Sequence, residues 1–487
     1  MVSSQHDGSG KLIVDSIHGD IRLTKREVDV IDTPSFQRLR RLKQLAMAQM
    51  VYPTATHTRF AHSIGALGMM MRILDAAEQN GLDISKEQKE QLRLAALLHD
   101  VGHYPYSHLM ERIDKVKLIE EQVGGDTVAE KTLLDRSREP YPEHDLVGTY
   151  IVTEQSDLIK ALGGKRRAKA IANLFGPKRP TESKKSLQLS KLVHSSFDID
   201  RWDYLWRDSH ATGAPYGHID INYLLNNLRA SPDKILGFSH KALPAIEHFL
   251  LARFFMYRTV YYHKTIYGME EACRQLLRRL RDRNGEHYGL PVDGEEVKKL
   301  VKSGELSTFT DAFVDSIIQK AVSDDDPVIC VLARSIQSRR PPKLIKEVQV
   351  CEESGRKHHD GTAFFEKCRN NLKSLSKEFS IPLGQFILCS PNVTIMKAPR
   401  QYRASEITSL NADELRTREH EEEEEQIWIF KDEKLEPESF WDMEHSLVGK
   451  CAKYFVQYFR LYVVYEGEDK GNVIARLCET VKDWEKA

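Results

Sequence analysis

The sequence predicts a mainly α protein with a smaller α+β region at its C-terminal end. Three observations carry this. Apolar residues recur at helical spacing through most of the first 290 positions. Strand-like runs are sparse until the last third, where "FILCS", "IWIF" and "RLYVVYEG" stand out. A composition of 41% apolar and 29% charged residues is that of a soluble globular chain, and 487 residues hold one large core or two to three units.

The elements follow in order. Residues 1–10 are read as a disordered N-terminus, and Pro34–Gln44 as the opening helix. "RFAHSIGALGMMMRILDAAEQNG" sets Phe60, Ile64, Leu67, Met71 and Leu74 on one face and stops at Gly81. "KEQKEQLRLAALLHD" carries Leu92, Ala95 and Ala96 on a buried stripe, with His99 on the same stripe seven residues after Leu92. Further helices are predicted over Asp145–Ala161, Ile199–Asp208, Ala245–His263 and Glu271–Arg283. Residues 163–190 are basic and punctuated by Pro and Gly, and read as a partly exposed insertion. A hinge-like stretch near 281–296 separates a first unit, 11–290, from a second, 291–487. The acidic run 419–426 reads as a solvated loop, and there is no internal repeat.

Several function classes are set aside. No run of eighteen apolar residues exists to span a membrane, and the N-terminus lacks a signal layout, so the expected location is the cytoplasm. Seven scattered cysteines without a C-x-x-C fit reduced thiols rather than a disulfide frame or zinc ribbon. A net charge of −1 gives no global pull toward nucleic acid. The basic stretches Lys165–Lys185 and Arg274–Arg283 are read as solvated faces in preference to nucleic-acid contacts.

The chemistry gathers at "LLHDVGHYPYSH" (97–108). Gly102 and Pro105 already end the helix, so His99, His103 and His108 are surplus to local structure. Neighbouring residues on a helix point about 100° apart, so His99 and Asp100 reach one object only across the helix end. A divalent metal meets that condition, with imidazole and carboxylate as ligands. Remaining ligands must come from elsewhere: "HTRFAHS" offers His57 and His62, and "SSFDIDRWDYLWRDSH" offers Asp198, Asp200, Asp203 and Asp208. On that last helix Ile199, Trp202 and Trp206 form an apolar face, while Asp200, Tyr204, Arg207 and Asp208 share a polar one. A single histidine beside a core helix is ordinarily structural. The three motifs in this order are not explained that way.

Together they resemble the HD-domain phosphohydrolase superfamily, and within it the dNTP triphosphohydrolase branch. The resemblance runs over about residues 11–270, through "DSIHGDI", "VIDTPSFQRLRRLKQL", "YPTATHTRFAHSIG", "LLHDVGHYPYSH", "DIDRWDYLWRD" and "FFMYRTVYYHK". "RRPPKLIKEV" is similar to the family's basic strand. The resemblance implies an HD-domain helical bundle and a divalent metal (iron, manganese, zinc or magnesium) held by His62, His99, Asp100 and Asp200. It implies His108 as general acid, supported by His144 and by Glu111, where the family more often has Asp. His103 takes a proton-handling or ligand-orienting role. Arg59, Arg201, Arg253 and Lys264 match phosphate contacts, with Arg201 where relatives often carry Lys. Gln44 and Asp208 match the pair that reads the sugar 3′-hydroxyl, and Tyr204 and Tyr261 the wall that excludes a 2′-hydroxyl.

By the same resemblance, Lys11, Asp32, Gln37 and Arg40 match a regulatory site for GTP or a dNTP activator, and a homodimer or homotetramer is expected. The expected reaction turns dNTP into deoxynucleoside and triphosphate, in dNTP pool control or phage defence. Two alternatives stand beside it: an HD phosphohydrolase acting on another nucleotide or a nucleic-acid end, and a nucleotide-sensing binding protein.

Overall fold

The computed structural model describes residues 10–115, 117–124, 138–177, 191–193, 198–231, 235–283, 288–353, 360–394, 426–431, 434–452 and 454–485. The expected disordered terminus over 1–9, the acidic run up to 425 and the basic stretch 178–190 lie outside the described residues.

The chain opens with an antiparallel hairpin, Leu12–Asp15 against Gly19–Arg22. Its turn is closed by the Asp15 carboxylate, which accepts from the backbone N–H groups of Ile17 and His18, both at 2.9 Å. Helix Arg59–Gln79 starts where the Thr58 side chain accepts from Ala61 N–H. It packs against helix Lys86–Leu98, whose Ser85 and Gln88 form a reciprocal capping box. Leu94, Leu97 and Leu98 on the second helix are fully buried, each contributing about 1.5–3 kcal/mol by leaving water. Helix Ile199–Thr212 is capped by Asp198 and ended by Gly213 in the left-handed conformation. It crosses Arg59–Gln79 so closely that a Cβ on Gly65 would lie 2.0 Å from Asp203 Oδ1. That is why a glycine sits mid-helix there.

Several elements depart from the periodicity reading. Pro34–Gln44 is a short helix, Pro34–Gln37, followed by a 3₁₀ turn, Arg38–Arg41. The buried Arg38 guanidinium donates to the carbonyls of Phe309, Val101 and His103, which draws the chain out of helical register. The predicted 145–161 helix is two, His144–Glu154 and Ser156–Leu162, broken at the extended Gln155. Helix Leu243–Met256 passes into a π-helical turn, Tyr257–Tyr261, instead of continuing to 263. The first part of the supposed insertion, Lys165–Phe175, is an amphipathic helix that buries Ala168, Ile171, Ala172, Leu174 and Phe175. It belongs to the bundle core, and its charges are only its outer face.

Two four-stranded sheets include the C-terminal strands, and the second of them also takes strands from the first 290 residues. In one, Tyr454–Val463 is central, flanked by Lys343–Glu353 on one side and by Phe386–Cys389 and Asn392–Thr394 on the other. In the other, Leu228–Ala230, Leu236–Ser239, Trp428–Lys431 and Lys434–Ser439 lie in that order. The main apolar core does not stop at 290. It continues through Val297, Val301, Val314, Ile317, Leu332 and Ile336 of the following helices. A second core, built on Phe364, Leu372, Phe386, Phe459, Leu461 and Leu477, belongs to the C-terminal sheet and its helices. The main core also takes in Ile387, Ile429, Phe440 and Tyr462, so packing crosses the expected boundary at 290.

Candidate functional site

Three helix ends bring the candidate ligands to one point. His62 sits in the first turn of Arg59–Gln79, His99 and Asp100 follow the last turn of Lys86–Leu98, and Asp200 stands in the first turn of Ile199–Thr212. His62 Nε2 lies 3.3 Å from His99 Nε2, 2.9 Å from Asp200 Oδ1 and 3.5 Å from Asp100 Oδ2. His99 Nε2 is 3.5 Å from Asp100 Oδ1 and 3.8 Å from Asp200 Oδ1.

The tautomers are set from behind. His99 Nδ1–H donates to the Ala96 carbonyl at 2.8 Å, and His62 Nδ1–H donates to Asp203 Oδ2 at 2.7 Å. Both Nε2 atoms therefore aim lone pairs at the same small volume, beside two carboxylates. Such a convergence is stable only around positive charge. Burial opposes charge on His62, yet Asp200, Asp203 and Asp100 outweigh it and push its pKa up to about 10. His99 is likewise raised by Asp100 and Asp200 against its burial. His62, His99 and Asp200 bring one ligand atom each within 4.8 Å of one another and fit a divalent metal, with Asp100 beside them on Arg59 and His103, and hardness does not choose which metal. His62, His99 and Asp100 are at most 3% exposed, while the Asp200 side chain is 35% exposed, so the cluster opens to solvent on the Asp200 side.

Around the cluster lies a ring of buried charge. Asp203 accepts from His62 on one oxygen and from His18 on the other, both at 2.7 Å. Arg207 pairs with Asp203 and with Asp15 of the hairpin turn at 2.8–3.0 Å. Arg207 thus faces inward, away from the polar face on which its spacing puts it. Arg59 donates to Asp100 Oδ2 at 2.6 Å, and His103 Nε2–H donates to Asp100 Oδ1 at 3.1 Å. Burial works against the Asp100 charge, but Arg59 and then His103 and His99 hold it well below the usual carboxylate range.

A second cluster adjoins the first through His103. Its ring stacks on His144 at 3.9 Å between centroids, and both rings meet His108 edge-on at 5.0 and 5.2 Å. Gly102 makes this possible: a Cβ there would lie 2.1 Å from the His144 carbonyl oxygen and 2.2 Å from Gly148 N. Glu111 joins the other two histidines, with His108 Nδ1 at 2.5 Å from one oxygen and His144 Nδ1 at 2.9 Å from the other. His144 Nε2 also lies 3.1 Å from Asp145 Oδ1. Burial disfavours a charged His144, but Asp145 and Glu111 raise it well above the ordinary value. Burial lowers His103 further with the help of Arg59 and His144, so it is neutral. For His108 burial wins over Glu111 and lowers its pKa. Its side chain is 50% exposed, the most open of the three.

The remaining predicted residues fall into three groups. Asp208 accepts from His57 at 2.8 Å and from the Tyr261 hydroxyl at 2.8 Å, and Tyr261 meets Tyr204 edge-on. Burial, with neighbouring tyrosine and carboxylate charge, keeps both phenols neutral. Arg253 lies over the Tyr257 ring and interacts with Tyr204, and Arg201 faces Asp198 at 3.7 Å. Gln44 N–H donates to the His57 carbonyl at 3.0 Å beside an isolated Lys43–Thr58 bridge, and the Gln44 Oε1 is buried without a hydrogen-bond partner among the described residues. Lys264 stands elsewhere. It lines a cavity of about 430 Å³ with Arg258, His263, Tyr458 and Arg460, which contains none of the candidate ligands. Lys11 pairs with Asp32 at 3.4 Å and Gln37 accepts from Arg40 at 2.9 Å, all on the surface of the N-terminal segment.

Spacing alone did not find Asp15, His18, Ser107 or Asp311, nor the partner roles of Asp203 and His57. The stretch "DSIHGDI" carries part of the resemblance, without a local reason for His18. Its reason is a partner 185 positions away.

Comparison with known proteins agrees with this geometry. Residues 59–208 match the HD domain and residues 219–288 an HD-associated region. An uncharacterized protein of Methanocaldococcus jannaschii is 36% identical over 259 residues, which cover 53% of this chain and 47% of that protein. Human deoxynucleoside triphosphate triphosphohydrolase SAMHD1 is 32% identical over 221 residues, covering 43% of this chain and 34% of its own. The chain spans about half the length of the curated relatives it matches first. A crystal structure of a phosphohydrolase from Bacteroides thetaiotaomicron has the same fold, with a TM-score of 0.66, 23% identity, and coverage of 93% of this chain and 100% of that one.

Proposed function

We propose that this chain, an HD-domain protein of the phosphohydrolase superfamily, is a metal-dependent dNTP triphosphohydrolase. Water attacks the α-phosphorus, the bond from phosphorus to the 5′-oxygen breaks, and deoxynucleoside and triphosphate leave. The observation that carries the reading is the adjacency of two unlike clusters: a donor set aimed at one cation, and a half-exposed histidine on a carboxylate next to it.

His62, His99, Asp100 and Asp200 would hold the divalent metal, which when bound supplies Lewis acidity toward a phosphate oxygen and toward water. Arg59, fixed on Asp100, places a guanidinium beside the entering phosphates, and Arg201 and Arg253 extend that positive rim. His108 gives its proton to the departing 5′-oxygen. Glu111 orients the ring through Nδ1, which leaves Nε2 to carry the proton that is delivered. Burial resists charge on Glu111, but His108 and His144 keep it ionised, so it acts as an anchor and leaves the proton with the histidines.

Similarity to triphosphohydrolases that act on deoxynucleotides supports the substrate class. So does the Tyr204–Tyr261–Asp208 wall, where a 3′-hydroxyl would meet Asp208 and the orphan Gln44 Oε1, and a 2′-hydroxyl would meet the rings. The test incubates purified protein with each dNTP and NTP, singly and pooled, with manganese or magnesium, and resolves products by mass. Deoxynucleoside plus triphosphate, lost in His99→Ala/Asp100→Ala, is the expected outcome. Activity only in pools would add an activator. Monophosphate plus pyrophosphate, or turnover of no nucleotide, would overturn the reading.

A further inference from the structure

The turn that delivers His108 is bent in an uncommon way. Tyr106 and Ser107 have φ of +53° and +55°, two consecutive non-glycine residues with positive φ, and Ser107 has ψ of −131°. Each such residue costs on the order of 1–3 kcal/mol and persists only where the surroundings impose it. Ser107 precedes His108, the first residue of helix His108–Glu111, and supplies no side-chain cap to it. The turn is therefore held from outside the helix.

The holding group is on another helix, Asp311–Ala321, which lies beyond both segments that match the family. Asp311 Oδ1 accepts from Tyr106 N–H at 2.9 Å, and Asp311 Oδ2 accepts from Lys43 N–H at 2.9 Å. One turn along, Asp315 Oδ1 accepts from the Tyr106 hydroxyl at 2.5 Å. Ser107 Oγ accepts from Arg59 Nε at 3.1 Å and donates to the Lys43 carbonyl at 3.3 Å. Asp311 is 4% exposed, so both its bonds are made away from water. One carboxylate thus ties the loop that carries Gln44 to the turn that carries His108, and Ser107 ties the same turn to Arg59.

We propose that Asp311 is a positioning residue for His108: it accepts from Tyr106 N–H in the turn and from Lys43 N–H outside it, which holds the positive-φ Tyr106–Ser107 turn against the Lys43 loop, and the turn aims the His108 ring at the leaving oxygen. The inference rests on the proposed dNTP triphosphohydrolase reading for its activity readout. Asp311→Asn keeps the size but turns an NH₂ group toward one of the two N–H donors, so one bond is lost.

The experiment is a double-mutant cycle with Asp311→Asn and His108→Gln, with bound manganese measured on each protein. Asp311→Asn is expected to keep its metal and its KM within about 3-fold, while kcat falls on the order of 10- to 100-fold, the effect of a small misplacement of an acting group. The double variant is expected to be no slower than His108→Gln alone, because Asp311 acts through that ring. Losses that multiply, or an Asp311→Asn kcat within about 2-fold of wild type, would overturn the proposal. Should Asp311→Asn fail to fold, Asp311→Glu, which keeps the carboxylate but displaces it from both donors, replaces it in the same cycle and must show the same non-additivity. Wild-type protein that hydrolyses no dNTP refutes the functional reading alone. The clamp is then judged by crystal structures of wild type and Asp311→Asn: loss of the positive-φ pair with His108 displaced from Glu111 supports it, and an unchanged turn refutes it.

Discussion

The two adjoining clusters are made of the same residue types and behave as opposites. In the donor cluster every ring nitrogen facing away from the centre is held by a backbone carbonyl or a buried carboxylate, and three of the four candidate ligands are sealed from water. In the histidine cluster the rings stack on one another, His103 Nδ1 is buried without a hydrogen-bond partner among the described residues, and His108 is half exposed. The first arrangement fixes tautomers, as holding a cation demands. Histidine content alone does not separate a ligand from an acid: carboxylates hold ring nitrogens in both clusters, and what differs is the exposure of His108.

The sharpest way to break this comparison is to remove a donor. His62→Ala is expected to lose bound metal and turnover together, read by metal analysis and product assay. His108→Gln should instead keep its metal and lose about 10²- to 10⁴-fold in kcat, the range for a general acid. If His108→Gln also lost the metal, the division between the clusters would be wrong. Next in size is Asp203→Asn, which leaves His62 in place but weakens its orienting bond. Metal affinity should fall about 10- to 100-fold, measured by competition with a chelating dye.

The smallest effect is on stability. Glu111 is depressed in the folded state, so its contribution is present above its unfolded pKa of about 4.3 and is lost as pH falls through that region. His144 is raised, so its contribution is full below about 6.5 and is lost as pH climbs toward its folded value. The melting difference between wild type and Glu111→Gln should therefore be greatest between about pH 4.5 and 6.5 and shrink on both sides. A difference that grows steadily with pH would contradict the paired assignment.

Much of the donor cluster was legible because its residues sit at helix ends that local signals mark. Thr58, Ser85 and Asp198 are recognisable caps, and each precedes a helix that delivers a ligand. What periodicity missed was set by distant partners. The 3₁₀ turn at Arg38–Arg41 follows from carbonyls 63 to 271 positions away, and the π-helical turn at Tyr257–Tyr261 has no local signature in "YRTVY". Lys165–Phe175 looked like an exposed insertion because its charges dominate the composition, while its buried face is only five small or apolar residues. The hairpin strands were missed because each has four residues, too few for alternation to speak. Asp311 carries no signal at all in its own neighbourhood. Its importance lies in two backbone donors from separate loops.

The most direct measurement is hydrolysis of a single dNTP in ¹⁸O-enriched water, with each product weighed by mass spectrometry. Attack at the α-phosphorus with loss of the 5′-oxygen predicts one ¹⁸O in the triphosphate and none in the deoxynucleoside. Label in a nucleoside monophosphate or in pyrophosphate, or label in the deoxynucleoside itself, would place the cleavage at another bond and contradict the account.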